Sequence, residues 1–185
     1  QLRNYDTTIQ QAITSISVSA AIAASDLTKG QTVGLEMKDG LLYATPKPES
    51  GARGVAAADV KAGEDTGVSN IEGIVDLKLG KVTILKVPSI QRGGSKAIDF
   101  QQLKRQAVGK KLVGAIGIEA IVALKQVYTG CVYIYGVTEA TIEAVRSGLG
   151  PLVVCVDDET PSLISRLEEE NITYELIDLH KSYPS

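Results

Sequence analysis

Three consecutive acids follow an apolar run in the segment VVCVDDETPS, residues 153–162. Carboxylates at the end of a buried strand can bind a metal, act as an acid/base pair or border a junction between strand and helix. Thr160 followed by Pro161 is typical of a helix start, with the threonine oxygen as the N-cap acceptor and proline in the first turn. We therefore interpret the stretch as a strand-to-helix junction, with metal binding by Asp157 and Asp158 as the alternative.

A second candidate lies in the segment PSIQRGGSKAIDF. Its central residues combine two cations, a hydroxyl and two flexible glycines, a composition suited to binding an anion such as phosphate. They are Arg92, Gly93, Gly94, Ser95 and Lys96. Six basic residues and one acid between positions 92 and 111 make this the local basic excess of an acidic chain. The alternative is a solvated linker.

Two further strand ends carry glycine and polar residues, in the segments GAIGIE and YGVTE. Here Gly117, Glu119, Gly136 and Thr138 would lie where ligands bind in an open parallel sheet, beyond the carboxyl ends of the strands. The glycine spacing is GxxG rather than GxGxxG, so no dinucleotide cofactor is predicted. The alternative is structural, with Thr138 as a cap and Glu119 complementing a helix dipole.

Nucleophilic and zinc chemistry find no support in the sequence. The one histidine, His180, falls in the polar tail LHKSYPS, and there is no CxxC pair. Cys131 and Cys155 each lie inside an apolar run and are predicted to be buried free thiols. We therefore name no catalytic residue and no metal ligand.

The elements that must position these residues fall into segments of different texture. Residues 1–24 place apolar side chains at steps of three and four, which predicts an amphipathic helix whose pattern is already present at Gln1. Residues 25–98 contain short strand patterns, with hairpins predicted around Asp39-Gly40 and around Gly80.

The β-rich segment contains an internal echo. AASDLTKGQTVGL (residues 23–35) and AAADVKAGEDTGV (residues 56–68) share paired alanines, an Asp and a turn glycine in one frame. A duplicated strand–turn–strand unit predicts a small β-barrel with pseudo-twofold symmetry.

From residue 99 to residue 180, continuous apolar runs alternate with helical patterns of about ten residues, which is typical of βαβ units. The predicted strands are KLVGAIG, CVYIYG, LVVCVD and TYELIDL, and residues 181–185 form a tail. The predicted fold class is thus α/β: an N-terminal helix, a small β-barrel-like domain and a four-stranded parallel Rossmann-like domain.

Composition limits the class of partner. A net charge of −3 and a pI near 5.3 give no global attraction to nucleic acid. The apolar runs are short, so no membrane segment is predicted and a cytoplasmic location is expected.

The layout resembles a protein family. The entry helix, the block IEGIVDLKLGKVTILKVPSIQRGGS and the run ending RLEEENITYELIDL are similar to the C-terminal, effector-binding region of archaeal winged-helix transcriptional regulators. The resemblance implies a DNA-binding module upstream of Gln1, which would also account for the absent initiator Met. It carries over no site residue.

We therefore expect a regulatory, small-molecule-sensing and dimerising region of a transcriptional regulator, contacting DNA only through a domain absent here. A small anionic metabolite would bind between the Arg92–Lys96 linker and the strand ends at Gly117 and Gly136, away from the acids of VVCVDDETPS. The alternatives are an enzyme acting on a small anionic metabolite and a structural oligomerisation module; we favour a non-enzymatic role.

Overall fold

The computed structural model describes residues 18–47, 51–75 and 77–181. The chain divides into two units, Gln1–Asp76 and Leu77–Ser185. The predicted fold class is confirmed, since the first unit is a closed β-barrel and the second a parallel sheet with helices.

The barrel is formed by five strands in the order β1-β3-β2-β4-β5. They are β1 (Ser19–Ala23), β2 (Thr32–Lys38), β3 (Leu41–Thr45), β4 (Ala52–Ala56) and β5 (Asp65–Gly73). β1 closes the barrel by pairing in parallel with β3 and antiparallel with β5. Small and branched side chains, among them Val33, Leu35, Ala44 and Val68, fill the interior.

The hairpin predicted at Asp39-Gly40 is confirmed. β2 and β3 pair antiparallel around it, with φ of 51° at Asp39 and 80° at Gly40. Positive φ at both central residues belongs to the turn whose twist matches that of the flanking strands.

The internal echo is a structural repeat whose two copies bond to each other. Leu27 and Val60, at equivalent positions, exchange N–H···O bonds of 2.9 and 3.0 Å. The turn glycine of each copy donates to the first alanine of the other: Gly30 to Ala56 and Gly63 to Ala23, both at 2.8 Å.

The repeated acids follow the same exchange. Asp59 Oδ1 accepts from the Lys29 N–H at 2.7 Å, and Asp26 Oδ1 accepts from the Ala62 N–H at 3.0 Å. Each copy therefore caps the turn of the other, as pseudo-twofold symmetry requires.

The second unit contains four parallel strands in the order β7-β8-β6-β9. Its strands are β6 (Val82–Val87), β7 (Val113–Ile116), β8 (Leu152–Val156) and β9 (Tyr174–Asp178). Its helices are α1 (Phe100–Ala107), α2 (Ile118–Val127), α3 (Val137–Arg146) and α4 (Thr160–Glu169). Short 3-10 turns at Ile90–Arg92 and Gly94–Ala97 precede α1, and the Asp99 side chain caps α1 by accepting from the Gln101 and Gln102 amides.

Helices cover both faces of this sheet. On one face α1 and α2 pack with Leu85, Val113 and Val154; on the other, α3 and α4 pack with Ile84 and Val153. A sheet buried on both faces needs strands that are apolar throughout, which is why β8 is buried at all five positions.

Two strand predictions need correction. KVTILKV forms β6 of the parallel sheet rather than a hairpin around Gly80, since β5 and β6 lie in different sheets. Val82 to Leu85 are all buried, and such a continuous apolar run suits a parallel strand better than a half-exposed hairpin.

CVYIYG is not a strand of the sheet. It makes a single bridge, between Tyr133 and Gly114, and the chain then turns at Gly136, whose φ is 61°. The turn into α3 ends the pairing, and Tyr135 is left 85% exposed.

The predicted helix over residues 1–24 is also corrected at its end. Ser19–Ala23 is strand β1, because pairing on both sides overrides the helix propensity of its alanines. Residues 1–17 lie outside the described residues. Within the described ranges, no helix has the length and apolar character needed to cross a membrane.

The two cysteines differ in environment. Cys155 is buried on β8, and desolvation raises its pKa to about 11. Cys131 is exposed, so the prediction that it is buried was wrong; its apolar neighbours belong to the segment that leaves the sheet.

This difference predicts selective thiol labelling. With an aromatic disulfide reagent at neutral pH, one thiol per native chain should react rapidly and the second only after denaturation, because the thiolate is the nucleophile. Cys131→Ser should abolish the fast phase and Cys155→Ser should leave it unchanged. A fast phase that persists in Cys131→Ser would contradict the described burial.

Candidate functional site

The carboxyl ends of β6 to β9 lie along one edge of the parallel sheet. The loops that follow Val87, Ile116 and Val156 all emerge there, and His180 follows β9. This edge is where open α/β sheets bind ligands. Every residue that the sequence nominated for a site lies at it or in the loops that leave it.

A cleft of about 460 Å³ opens between the starts of α2 and α3. Its walls are mainly apolar, with two glycines, one threonine and one acid: Ala115, Ile116, Gly117, Ile118, Ile121, Ile134, Gly136, Val137, Thr138 and Glu139. This volume is within the range of small-molecule sites.

The two glycines of the cleft are required by backbone conformation. Gly117 and Gly136 precede α2 and α3 with φ of 94° and 61°. A Cβ on Gly117 would also come within 2.6 Å of a Val156 methyl carbon. The first amides of any helix lack intrahelical acceptors, and neither of these helix starts has a side-chain cap, so the amides can bind an anionic group.

The acids nearest the cleft are engaged elsewhere. Glu139 Oε1 is 3.0 Å from Arg166 Nε, and Glu119 Oε1 accepts from the Ile90 N–H at 3.0 Å. Glu119 thus attaches the loop after β6 to the start of α2. The sequence had suggested Thr138 as the cap of α3. This prediction was wrong, because Gly136 occupies the N-cap position.

A second group of polar residues forms an ion cluster, Lys86–Arg92–Asp157–Asp178, at the ends of β6, β8 and β9. Asp157, whose side chain is only 7% exposed, pairs with Arg92 and lies 3.7 Å from Lys86 Nζ. It also accepts from the Ser89 N–H at 3.3 Å. Lys86 Nζ is 2.7 Å from Asp178 Oδ2.

The cluster shifts the ionisation of its members. The hydrogen bond to Asp178 raises the pKa of Lys86. Burial works against ionisation of Asp178, but hydrogen bonds from Lys86 and from the His180 N–H outweigh it and lower its pKa. Both groups are therefore charged at neutral pH.

The structure brings only some of the predicted residues together. Gly117, Gly136 and Thr138 line the cleft, whereas Arg92 and Asp157 belong to the ion cluster. The remaining predicted residues wall neither place: Gly93, Gly94, Ser95, Lys96, Glu119 and Asp158. Of the predicted linker residues 92–96, only Arg92 belongs to the ion cluster.

Two interpretations of the acidic stretch are corrected. The sequence separated the Arg92 linker from the acids, but Arg92 pairs with Asp157, because the loop after β6 runs beside the end of β8. Thr160 is the first helical residue rather than the N-cap, and its hydroxyl donates to the Val156 carbonyl at 2.9 Å. Pro161 is in the first turn, as predicted.

Sequence reasoning missed Lys86, Asp178 and His180. His180 is not in a frayed tail, since it bridges to Ile98 and its N–H donates to Asp178. The available signal was a lysine inside the apolar strand TILKV and an acid inside ELIDL. Charged residues at such positions are rarely buried without a partner.

Metal binding by Asp157 and Asp158 gains no support from this geometry. Asp157 already serves two cations and a backbone amide. Within the described part of the chain, no group of three His, Cys, Asp or Glu side chains is arranged to hold a metal ion.

Comparison with known proteins gives one family and one relative. Residues 76–176 match the family described as Domain of unknown function (DUF7839). The chain is 31% identical over 163 residues to "Uncharacterized protein MJ0558" of Methanocaldococcus jannaschii. That alignment covers 87% of this chain and 62% of the relative, so the chain spans less than two thirds of the relative's length. No solved structure matches.

The ion cluster predicts unequal roles for the neighbouring acids. Asp157→Asn should lower the unfolding free energy by about 2 kcal/mol, because it leaves Lys86 and Arg92 without their buried counter-ion. The exposed Asp158 is the matched control, and Asp158→Asn should change it by less than about 0.5 kcal/mol. Urea denaturation at neutral pH measures both, and equal effects would contradict the described network.

The cluster also predicts a pH dependence. Because the pKa of Asp178 is lowered by folding, its contribution is present above the unfolded-state pKa and is lost as the pH falls through the folded value. The unfolding free energy of Asp178→Asn should therefore fall less steeply than that of the native chain below about pH 4. Parallel curves would contradict the Lys86–Asp178 pairing.

Proposed function

The chain belongs to the family described as Domain of unknown function (DUF7839), and we propose that it is the small-molecule-sensing region of a transcriptional regulator. The observation that carries the sensing role is the cleft between the starts of α2 and α3. It combines a small-molecule volume, an apolar lining and two uncapped helix starts.

The lining favours one chemical class of ligand. Ile118, Ile121 and Ile134 would contact an apolar body, because burying apolar surface there is favourable. The amides of two helix starts would bind a single anionic group such as a carboxylate or phosphate. We therefore expect a small, largely apolar anion.

The same lining supports the proposal of binding without turnover. Among the residues that wall the cleft, only Thr138 and Glu139 carry polar side chains, and Glu139 is paired with Arg166. A general base or nucleophile would have to come from the ligand or from elsewhere. This favours recognition over the alternative of an enzyme.

The transcriptional part of the proposal concerns the whole protein. The alignment leaves part of the relative's length uncovered. The proposal expects that the whole protein likewise has sequence beyond the aligned region, and that this sequence contains a DNA-binding domain. The proposal also includes a homodimer, which is supported by the apolar spacing in the sequence of residues 1–17, before strand β1. Full-length protein should change its DNA affinity when the ligand is added, and an unchanged affinity would refute the regulatory role.

The cleft is tested by blocking it. A thermal-shift panel of branched aliphatic carboxylates and phosphomonoesters should contain a compound that raises the melting temperature of the native chain. Thr138→Trp should remove that shift by filling the cleft. Glu143→Trp, on the exposed side of the same helix, is the matched control and should retain it.

Three outcomes decide between the proposals. A shift that survives Thr138→Trp would place the ligand elsewhere. Consumption of the stabilising compound, followed by chromatography, would favour an enzyme over a sensor. Silence across the panel would favour a structural module.

A further inference from the structure

A groove of about 480 Å³ lies between α4 and the edge strand β9, and it shares no wall residue with the cleft of the proposed sensor. One part of it is apolar, with Pro161, Ile164 and Leu176. The other part carries Lys86, Arg92 and Asp157 of the ion cluster, together with the hydroxyls of Thr160 and Ser165.

The four members of the ion cluster form an inner and an outer pair. Asp157 and Lys86 are the inner residues, with side chains 7% and 28% exposed. Arg92 and Asp178 are the outer residues, at 59% and 52%. Each outer residue contacts the inner residue of opposite charge, so one outer cation and one outer anion are left partly exposed to solvent.

Both outer groups retain bonding capacity. A guanidinium has five N–H donors, and among the described residues Arg92 uses only Nη2, toward Asp157. The oxygens of Asp178 accept from Lys86 and from the His180 N–H, which leaves further lone pairs. Arg92 can therefore bind a carboxylate while Asp178 binds an ammonium group.

A small cavity of about 110 Å³ adjoins both outer groups. Its walls are Lys86, Pro88, Arg92, Asp157, Asp178 and His180. Three of these, Lys86, Arg92 and Asp157, also wall the larger groove. The charged end and the apolar end of one small ligand could thus contact the same cluster from adjoining spaces.

Charge balance discriminates between ligand classes. Two cations and two carboxylates sum to zero, so the cluster attracts neither a simple anion nor a simple cation over distance. A zwitterion satisfies one outer cation and one outer anion at once, without leaving a buried charge unpaired.

The apolar part of the groove selects the rest of the ligand. Leu176 is 44% exposed on β9 although it lies on a sheet face that is otherwise packed against helices. An apolar side chain placed between Leu176, Ile164 and Pro161 would remove that surface from water.

We propose that the groove between α4 and β9, together with the small cavity that shares Lys86, Arg92 and Asp157 with it, binds a zwitterionic small molecule with an apolar side chain, the chemistry of an apolar α-amino acid. Arg92 binds its carboxylate, Asp178 binds its ammonium group, and Pro161, Ile164 and Leu176 contact its side chain. This site is independent of the cleft between α2 and α3.

The test uses the full chain and calorimetric titration with L-leucine, L-isoleucine, L-methionine and L-phenylalanine. At least one should bind. Its analogues lacking only the amine (for leucine, 4-methylpentanoate) or only the carboxylate (3-methylbutylamine) should each bind at least about tenfold more weakly. Equal binding of the amino acid and either analogue would overturn the zwitterion assignment.

Variants with matched controls locate the site. Arg92→Gln and Asp178→Asn should each weaken binding at least about tenfold, as loss of a charge-assisted contact predicts. Arg105→Gln and Asp158→Asn, which change the same residue types at exposed positions outside the cluster, should bind as the native chain does.

A further variant leaves all four charges in place. Ser165→Trp should fill the groove and abolish binding, whereas Ser162→Trp, exposed on the same helix but not a groove wall, should not. Circular dichroism confirms that each variant is folded. Native-like binding by Ser165→Trp, or no heat with any of the four amino acids at about 10 mM, would overturn the proposal.

Discussion

The buried carboxylate of Asp157 is the interaction on which the sheet edge depends. Its backbone N–H continues the ladder by donating to Val87, and its side chain holds the loop after β6 through Ser89 and Arg92. It also faces Lys86, which reaches Asp178 on β9. One residue thus joins the ends of three strands, and the first acid of the stretch VVCVDDETPS serves as an internal counter-ion.

This arrangement explains which parts of the fold could be predicted from the sequence and which could not. Continuous apolar runs alternating with helical patterns predicted the parallel sheet, and the repeat that contains Asp26 and Asp59 predicted the barrel. These features depend on local chemistry and periodicity. The bridge-only pairing of CVYIYG depends on which strands are neighbours in the sheet, which no local pattern encodes. The continuous apolar run of KVTILKV, in contrast, was a local signal for a parallel strand that the hairpin prediction overlooked.

The candidate sites divide in the same way. Gly117 and Gly136 could be predicted because a backbone with positive φ at a helix start favours glycine, and a glycine is visible in the sequence. Lys86 and Asp178 were missed because the role of each depends on its ion pair with the other. They are far apart in the chain and become neighbours only when β6 pairs with β9. Arg92 was found but given the wrong neighbour for the same reason. When the role of a residue depends on a partner far away in the chain, a single sequence does not show which residue that partner is.

The barrel has a consequence of a different kind. Each copy of the repeat satisfies the backbone amides of the other copy, through Leu27 with Val60, Gly30 with Ala56 and Gly63 with Ala23. These bonds form an isologous interface, the same surface used twice about a twofold axis. Two separate chains carrying one copy each could make every one of them. The first unit therefore has, within one chain, the hydrogen-bonding arrangement of a twofold homodimer interface.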